Sequence, residues 1–170
     1  MSRINTFKIG ALSIACFGFA VPVTAFAAGT QNSNVAVTAA VESACTISTT
    51  PLTFPAFTGS TAVATTATLS VTCTNAAPYV LALSAGTGAS ATTAKRLLTS
   101  ATTKSTLNYG LYSDLAHTTA WGNTTGTDTV AGTGDGAAQN VTVYGQIAAN
   151  QLNAQVATDY TDTVAVTVTY

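Results

Sequence analysis

The chain has 170 residues, 47% of them apolar and only 6% charged, with a formal net charge of −1. So few basic residues exclude nucleic-acid binding by phosphate neutralisation. A single histidine, His117, leaves little for acid–base or nucleophilic catalysis.

The first element in the chain is a leader. Arg3 and Lys8 form a positive n-region, Ile9 to Val21 form an apolar stretch, and Ala25-Phe26-Ala27 supplies a small-residue cleavage site before Ala28. The stretch is shorter than the ~20 residues of a spanning helix. Residues 1–27 are therefore read as a removed signal peptide, and the mature chain as having no membrane span. Cys16 leaves with the leader, and Phe17-Gly18-Phe19 after it argues against a lipoprotein. Cleavage leaves Lys95, Arg96 and Lys104 against Glu42, Asp114, Asp128, Asp135, Asp159 and Asp162, a net charge of −3. Charged residues are a usual guard of strand edges, so this scarcity fits a protein that polymerises.

Val35–Val41 alternates apolar with smaller or polar residues, the period of a half-buried strand. Further strands are expected over Ala44–Thr49, Leu52–Phe57, Ala67–Thr74 and Tyr79–Ser84, with Pro51 and Pro55 bracketing a short run that suits an edge strand or its corners. Gly86–Thr93 reads as a Gly/Ser/Thr connector, and the Thr-Ala repetition from Thr61 to Thr68 as compositional bias. Leu107–Tyr112 follows as a strand, then a glycine-rich connector over Asn123–Gly136, then strands over Asn140–Ile147 and Thr161–Tyr170. No helix is expected in the mature chain, because β-branched residues dominate and turn residues recur at short intervals. The expected core takes the apolar positions of these runs, including Val37, Val41, Phe54, Phe57, Val80 with Leu81, and Val164–Val168. Trp121, the only tryptophan, is expected to plug one end of a sandwich. Strand-like runs at both ends suit a chain that pairs with its neighbours.

Cys45 and Cys73 are an even pair in an exported chain, which reads as a disulfide. The alternative is a metal site, but two thiols and His117 do not make four ligands. The other chemical signals are weak. His117 lies in the polar turn Asp114–Thr119, where an exposed side chain is expected. Asp159 and Asp162 would point to opposite faces of a strand, which excludes a retaining glycosidase pair. Gly86-Thr87-Gly88-Ala89-Ser90-Ala91 matches a loose dinucleotide pattern but opens no apolar-striped helix. Gly134-Asp135-Gly136 lacks the alternating carboxylates of a calcium loop. Asn123-Thr124-Thr125 and Asn140-Val141-Thr142 match a glycosylation acceptor, a common chance match in so threonine-rich a chain. No enzyme, cofactor or metal is expected.

Several stretches carry a family resemblance. They are Ala44-Cys45-Thr46-Ile47 with Leu52-Thr53-Phe54, Leu69-Ser70-Val71-Thr72-Cys73, Leu107-Asn108-Tyr109-Gly110-Leu111-Tyr112-Ser113-Asp114 and Trp121-Gly122. Val143-Tyr144-Gly145-Gln146-Ile147 and Asp159-Tyr160-Thr161-Asp162-Thr163-Val164 complete the set. Together they resemble the spore coat protein U family, which includes subunits of archaic chaperone–usher (Csu-type) pili. The resemblance implies an all-β, incomplete immunoglobulin-like sandwich lacking its last strand. A periplasmic chaperone, and then the N-terminal strand of another subunit delivered at an outer-membrane usher, would complete it. On that implication residues 28–41 are a donor-strand extension presenting Val35, Val37, Ala39 and Val41, and residues 42–170 form the pilin domain. The chain stops after a strand, which makes Val164, Val166, Val168 and Tyr170 the expected edge of the acceptor groove. The partners implied are identical or related subunits, the chaperone and the usher. The location implied is the surface of a Gram-negative cell, with a shaft or adaptor role supporting adhesion and biofilm formation.

Competing readings are weaker. Val35–Val41 and Val164–Val168 would be ordinary first and last strands in a closed domain. A small outer-membrane β-barrel needs strands of ~9–11 residues and aromatic girdles. A secreted matrix protein of amyloid type would show repeats with Gln/Asn ladders, and none is present.

Overall fold

The computed structural model describes residues 28–170, so the leader expected at residues 1–27, with Cys16, lies outside the described residues. The chain divides after Ala39 into two units, and each is described by itself. Residues 28–39 form no strand. Val35 and Val37 are 86% and 88% exposed, and Val41, just inside the second unit, is 85% exposed. The expected strand over Val35–Val41, and the place of Val37 and Val41 in the core, are therefore corrected. Alternation alone does not make a strand; a neighbouring backbone must take its hydrogen bonds.

The second unit has nine strands: β1 (Cys45–Thr49), β2 (Val63–Cys73), β3 (Pro78–Leu83), β4 (Arg96–Ser100), β5 (Thr106–Tyr112), β6 (Val130–Thr133), β7 (Ala138–Ile147), β8 (Tyr160–Thr161) and β9 (Val166–Thr169). No helix occurs among the described residues. Every pair is antiparallel, in a six-stranded sheet ordered β1-β2-β7-β5-β4-β8 and a three-stranded sheet ordered β6-β3-β9. This is the all-β sandwich expected from the sequence, and it is incomplete between β1 and β9.

Alternation decides which side chains face inward. Along β2, Ala67, Leu69, Val71 and Cys73 are buried while the residues between them are not. On the opposing sheet Tyr79, Leu81 and Leu83 of β3 are buried. They join one cluster with Leu107, Tyr109 and Leu111 of β5 and Val143 and Ile147 of β7. Val80, expected inside, takes the other face because it is adjacent to Leu81, and Tyr79 fills the core position instead. Trp121 is fully buried, deeper than an end plug, and its indole N–H donates to the Leu81 carbonyl at 3.0 Å.

Other expectations need correction. Leu52–Phe57 is not a strand, in keeping with Pro51 and Pro55. Its Leu52 and Phe54 still pack on the core, and a Cβ at Gly145 of β7 would come within 2.9 Å of both Leu52 methyls. Only glycine there leaves room for the segment to roof the sheet. The Thr-Ala repetition is more than compositional bias: it supplies the first half of β2, paired with β7 from Val63↔Ile147 onward. Strand β4 has no counterpart among the expected strands, and β6 lies inside the stretch read as a connector.

Cys45 and Cys73 are bonded to each other, with Cα atoms 4.1 Å apart, directly opposite in the β1–β2 register. On the loop-entropy account, a crosslink spanning 28 residues stabilises the fold by about 3–4 kcal/mol. It also fixes where β1 begins.

Candidate assembly groove

Strands β1 and β9 each end their sheet, so each has a hydrogen-bonded neighbour on one side only. Strand β9 pairs with β3 through Val80↔Thr169 to Leu83↔Val166. Between the Thr49 end of β1 and the Val166 end of β9 lies a cleft of about 200 Å³. Its floor is core: Leu69, Leu83, Leu111 and Val143. Leu52 and Phe54 form one wall, and Val164 and Val166 the other. Ile47, Val164, Val166 and Val168 are packed against the core yet only half-buried. A half-buried row of valines beside an unpaired backbone edge is a costly surface for a lone domain.

The residues expected at the acceptor edge thus divide. Val164, Val166 and Val168 turn inward in alternation with exposed Thr163, Thr167 and Thr169. Tyr170 follows β9 and is 56% exposed. Of the residues expected to donate, Val35, Val37, Ala39 and Val41 are all exposed.

Polar groups close one end of the groove. Asp162 lines it beside Tyr109. Its carboxylate accepts from the Tyr109 hydroxyl at 2.7 Å, the Thr87 N–H at 2.7 Å, the Thr87 hydroxyl at 2.8 Å and the Thr163 N–H at 2.7 Å. Burial pushes its pKa up, but those donors outweigh burial and hold it below the usual carboxylate range. Tyr109 is pushed well above the ordinary phenol value by burial and by its bond to Asp162. A second tie follows, since Ala165 N–H donates to Ser84 Oγ and Ser84 N–H donates to the Ala165 carbonyl, both at 2.9 Å. Asp162 and Ala165 therefore anchor the segment that enters β9.

Asp159 makes a similar clasp three residues earlier. It accepts from Ser100 Oγ at 2.6 Å, the Thr102 hydroxyl at 2.7 Å and the Thr102 N–H at 2.8 Å. Those donors lower its pKa to about 2. The two aspartates, close enough in sequence to suggest a catalytic pair, are each consumed in clasping a different loop to the strand that leads to the groove. A depressed carboxylate contributes stability that is whole above its unfolded pKa, roughly 3.9, and is lost as pH falls through the folded value, about 2. The thermal midpoint is expected to be flat above roughly pH 5 and to fall between about 4 and 2. Asp159→Asn should flatten some of that acid limb, measured by thermal melts across the range; an unchanged limb would show that the clasp does not hold in solution.

His117 is half-buried, unlike the exposed side chain expected. Its ring meets Tyr112 edge-on at 5.3 Å and Tyr144 at 6.4 Å, with Gln146 Nε2 3.4 Å from Nδ1. Among the described residues no three potential metal ligands cluster, and no helix is long and apolar enough to cross a membrane.

Sequence reasoning missed Arg96. It is fully buried, and its guanidinium donates to the carbonyls of Ser84 (2.8 Å), Thr93 (2.8 Å), Leu83 (3.1 Å) and Trp121 (2.8 Å). Burial lowers its pKa, opposed by the nearby Tyr109, Asp162 and Asp128.

Residues 31–167 match the family described as the Spore Coat Protein U domain. The chain belongs to that family. The matched span begins at Gln31, so it takes in Val35–Val41 together with the sandwich. Among solved structures, this chain is similar to one in a chaperone–tip adhesion subunit pre-assembly complex from the archaic chaperone–usher Csu pili of Acinetobacter baumannii. The TM-score is 0.58 at 19% identity, over 76% of this chain. The match spans 40% of the length of that chain and establishes likeness of fold. Comparison with curated proteins gave no match.

Proposed function

We propose that this chain is a structural subunit, shaft or adaptor, of an archaic chaperone–usher pilus, and that it polymerises by donor-strand exchange. The observation that carries the reading is the apolar cleft between the unpaired edges of β1 and β9. Family membership and the fold likeness to a Csu pilus complex support it.

The donor is the extension within residues 28–41, and the acceptor is the domain of residues 42–170 in another subunit. Val164–Thr169 extends about 20 Å and Val35–Val41 about 23 Å at ~3.3 Å per residue, so the lengths match. Val35, Val37, Ala39 and Val41 would fill successive positions along the cleft while their backbone takes the place between the free edges of β9 and β1. Charge supports the choice of edge. Asp128 and Asp135 flank β6, and Asp159 and Asp162 flank β8, whereas neither 44–58 nor 163–170 holds a charged residue. The outer edge at β6 carries the usual guard against pairing, and the edges of β1 and β9 do not.

Before assembly the same groove would be held by a periplasmic chaperone, with exchange at an outer-membrane usher. Removal of residues 1–27 and export to the surface of a Gram-negative cell follow from that route, and adhesion and biofilm formation would follow from the filament.

The test is size exclusion and unboiled SDS gels of the exported protein, with and without a copy of Gln31–Val41 appended after Tyr170. The appended strand is expected to turn a ladder of oligomers into one heat-stable monomer. A stable monomer without the appendage would mean that the domain is already complete, and would overturn the proposal.

A further inference from the structure

An extension tethered to its own acceptor domain has an intrachain effective concentration near millimolar. At micromolar protein, self-insertion would win over assembly unless the geometry forbids it. Resting on the donor-strand reading above, we propose that residues Glu42–Ala44 and Thr74 form a register lock that excludes the extension from the chain's own groove and reserves it for a second copy.

The lock continues the β1–β2 ladder one step past the disulfide. Thr74 N–H donates to the Ala44 carbonyl at 2.9 Å, and Ala44 N–H donates to Thr74 Oγ1 at 3.1 Å. The Thr74 hydroxyl lies 3.3 Å from the Glu42 carbonyl and 3.4 Å from that of Ala44, within reach as a donor to both. The Cys45–Cys73 bond holds this register from the adjacent position.

Parity then decides the outcome. Strand β1 turns Cys45 and Ile47 toward the core and leaves Thr46 and Ser48 exposed. The apolar series of the extension is also odd-numbered. To lie alongside its own β1, the extension must reverse direction before Ala44. A two-residue hairpin turn at Glu42-Ser43 places Val41 opposite Ala44, Ala39 opposite Thr46 and Val37 opposite Ser48. Every valine then faces away from the core, since a slip of one residue exchanges the faces. The productive register, Val41 opposite Cys45 and Ala39 opposite Ile47, needs a turn made from Glu42, Ser43 and Ala44. Ala44 would have to leave Thr74. A second copy's extension arrives without this constraint.

The experiment uses the exported protein on size exclusion and unboiled gels, with limited proteolysis of residues 31–41. Inserting one glycine between Ser43 and Ala44 leaves the Ala44–Thr74 bonds intact and allows a two-residue Ser-Gly turn with Val41 opposite Cys45. This variant is expected to collapse the oligomer ladder to a monomer whose extension resists protease. Thr74→Val is expected to shift some of the ladder the same way; if it fails to fold, the glycine insertion decides alone. A glycine variant that keeps the wild-type ladder, or a monomer with a protease-sensitive extension, overturns the lock. The appended Gln31–Val41 copy separates the two proposals: if it fails to cap the wild type, the donor-strand reading is at fault, and if it succeeds while the glycine variant still polymerises, only the lock is.

Discussion

Val37→Asp is expected to abolish polymerisation while leaving the sandwich folded. Val37 is 88% exposed, so an aspartate there costs the isolated subunit almost nothing. Assembly would carry that carboxylate into a cleft floored by Leu69, Leu83, Leu111 and Val143, where nothing basic waits for it. An uncompensated buried charge costs about 3–5 kcal/mol, which is roughly two to nearly four orders of magnitude in the exchange equilibrium. Val37→Thr keeps the branched shape and leaves a neutral hydroxyl, so it should weaken assembly far less. The measurement is filament yield by sedimentation, alongside circular dichroism of the subunit capped by an appended wild-type strand. A folded Val37→Asp subunit that polymerises normally would remove Val37 from the donor series. Assembly of the variant should also recover as pH falls toward the carboxylate's own pKa, because protonation removes the charge.

Much of this architecture is legible in the sequence, because binary pattern sets strand faces. The runs around Leu69–Cys73, Leu107–Leu111 and Val141–Ile147 read directly as strands, and Val164, Val166 and Val168 as one face. Where expectation and structure diverge, information outside the local pattern is decisive. The run Tyr79–Leu83 is ambiguous in phase: with Val80 and Leu81 adjacent in a continuous apolar stretch, only the opposing sheet chooses which points inward. Val35–Val41 has a strand's periodicity but no backbone partner in its own domain. The Val63–Thr66 half of β2 resembles low-complexity sequence, and only its pairing with β7 makes it a strand. Strand β4 is hidden by Lys95-Arg96, because a charged pair suggests a solvated loop, and nothing near Arg96 in sequence announces the carbonyls of Leu83, Ser84 and Trp121. The groove follows the same division. Its valine wall is readable, whereas its polar end depends on Thr87, Tyr109 and Asp162, which are far apart in the chain.

Arg96 carries the second large effect. Its guanidinium satisfies four carbonyls that have been withdrawn from water at the junction of β3, β4 and Trp121. Arg96→Met keeps much of the aliphatic volume and removes every donor. Each stranded buried acceptor costs about 1–3 kcal/mol, and partial hydration recovers some of that, so a loss of about 4 kcal/mol is expected. That is a large share of the ~5–15 kcal/mol of a typical domain, and corresponds to a fall of about 15 °C in Tm. Arg96→Lys should rescue little, since one compact ammonium cannot span carbonyls that the planar fork reaches together. Urea unfolding of the strand-capped subunit measures both. The effect should reach the groove as well. Arg96 holds the Ser84 carbonyl, Ser84 exchanges two hydrogen bonds with Ala165, and Ala165 leads into β9. Loosening that chain should lower the affinity of the groove for an added Gln31–Val41 peptide beyond what Val80→Ala produces, because Val80 lies on β3 but outside this chain of bonds. Equal peptide affinity in Arg96→Met and wild type would confine the arginine's role to the core and detach it from the acceptor edge.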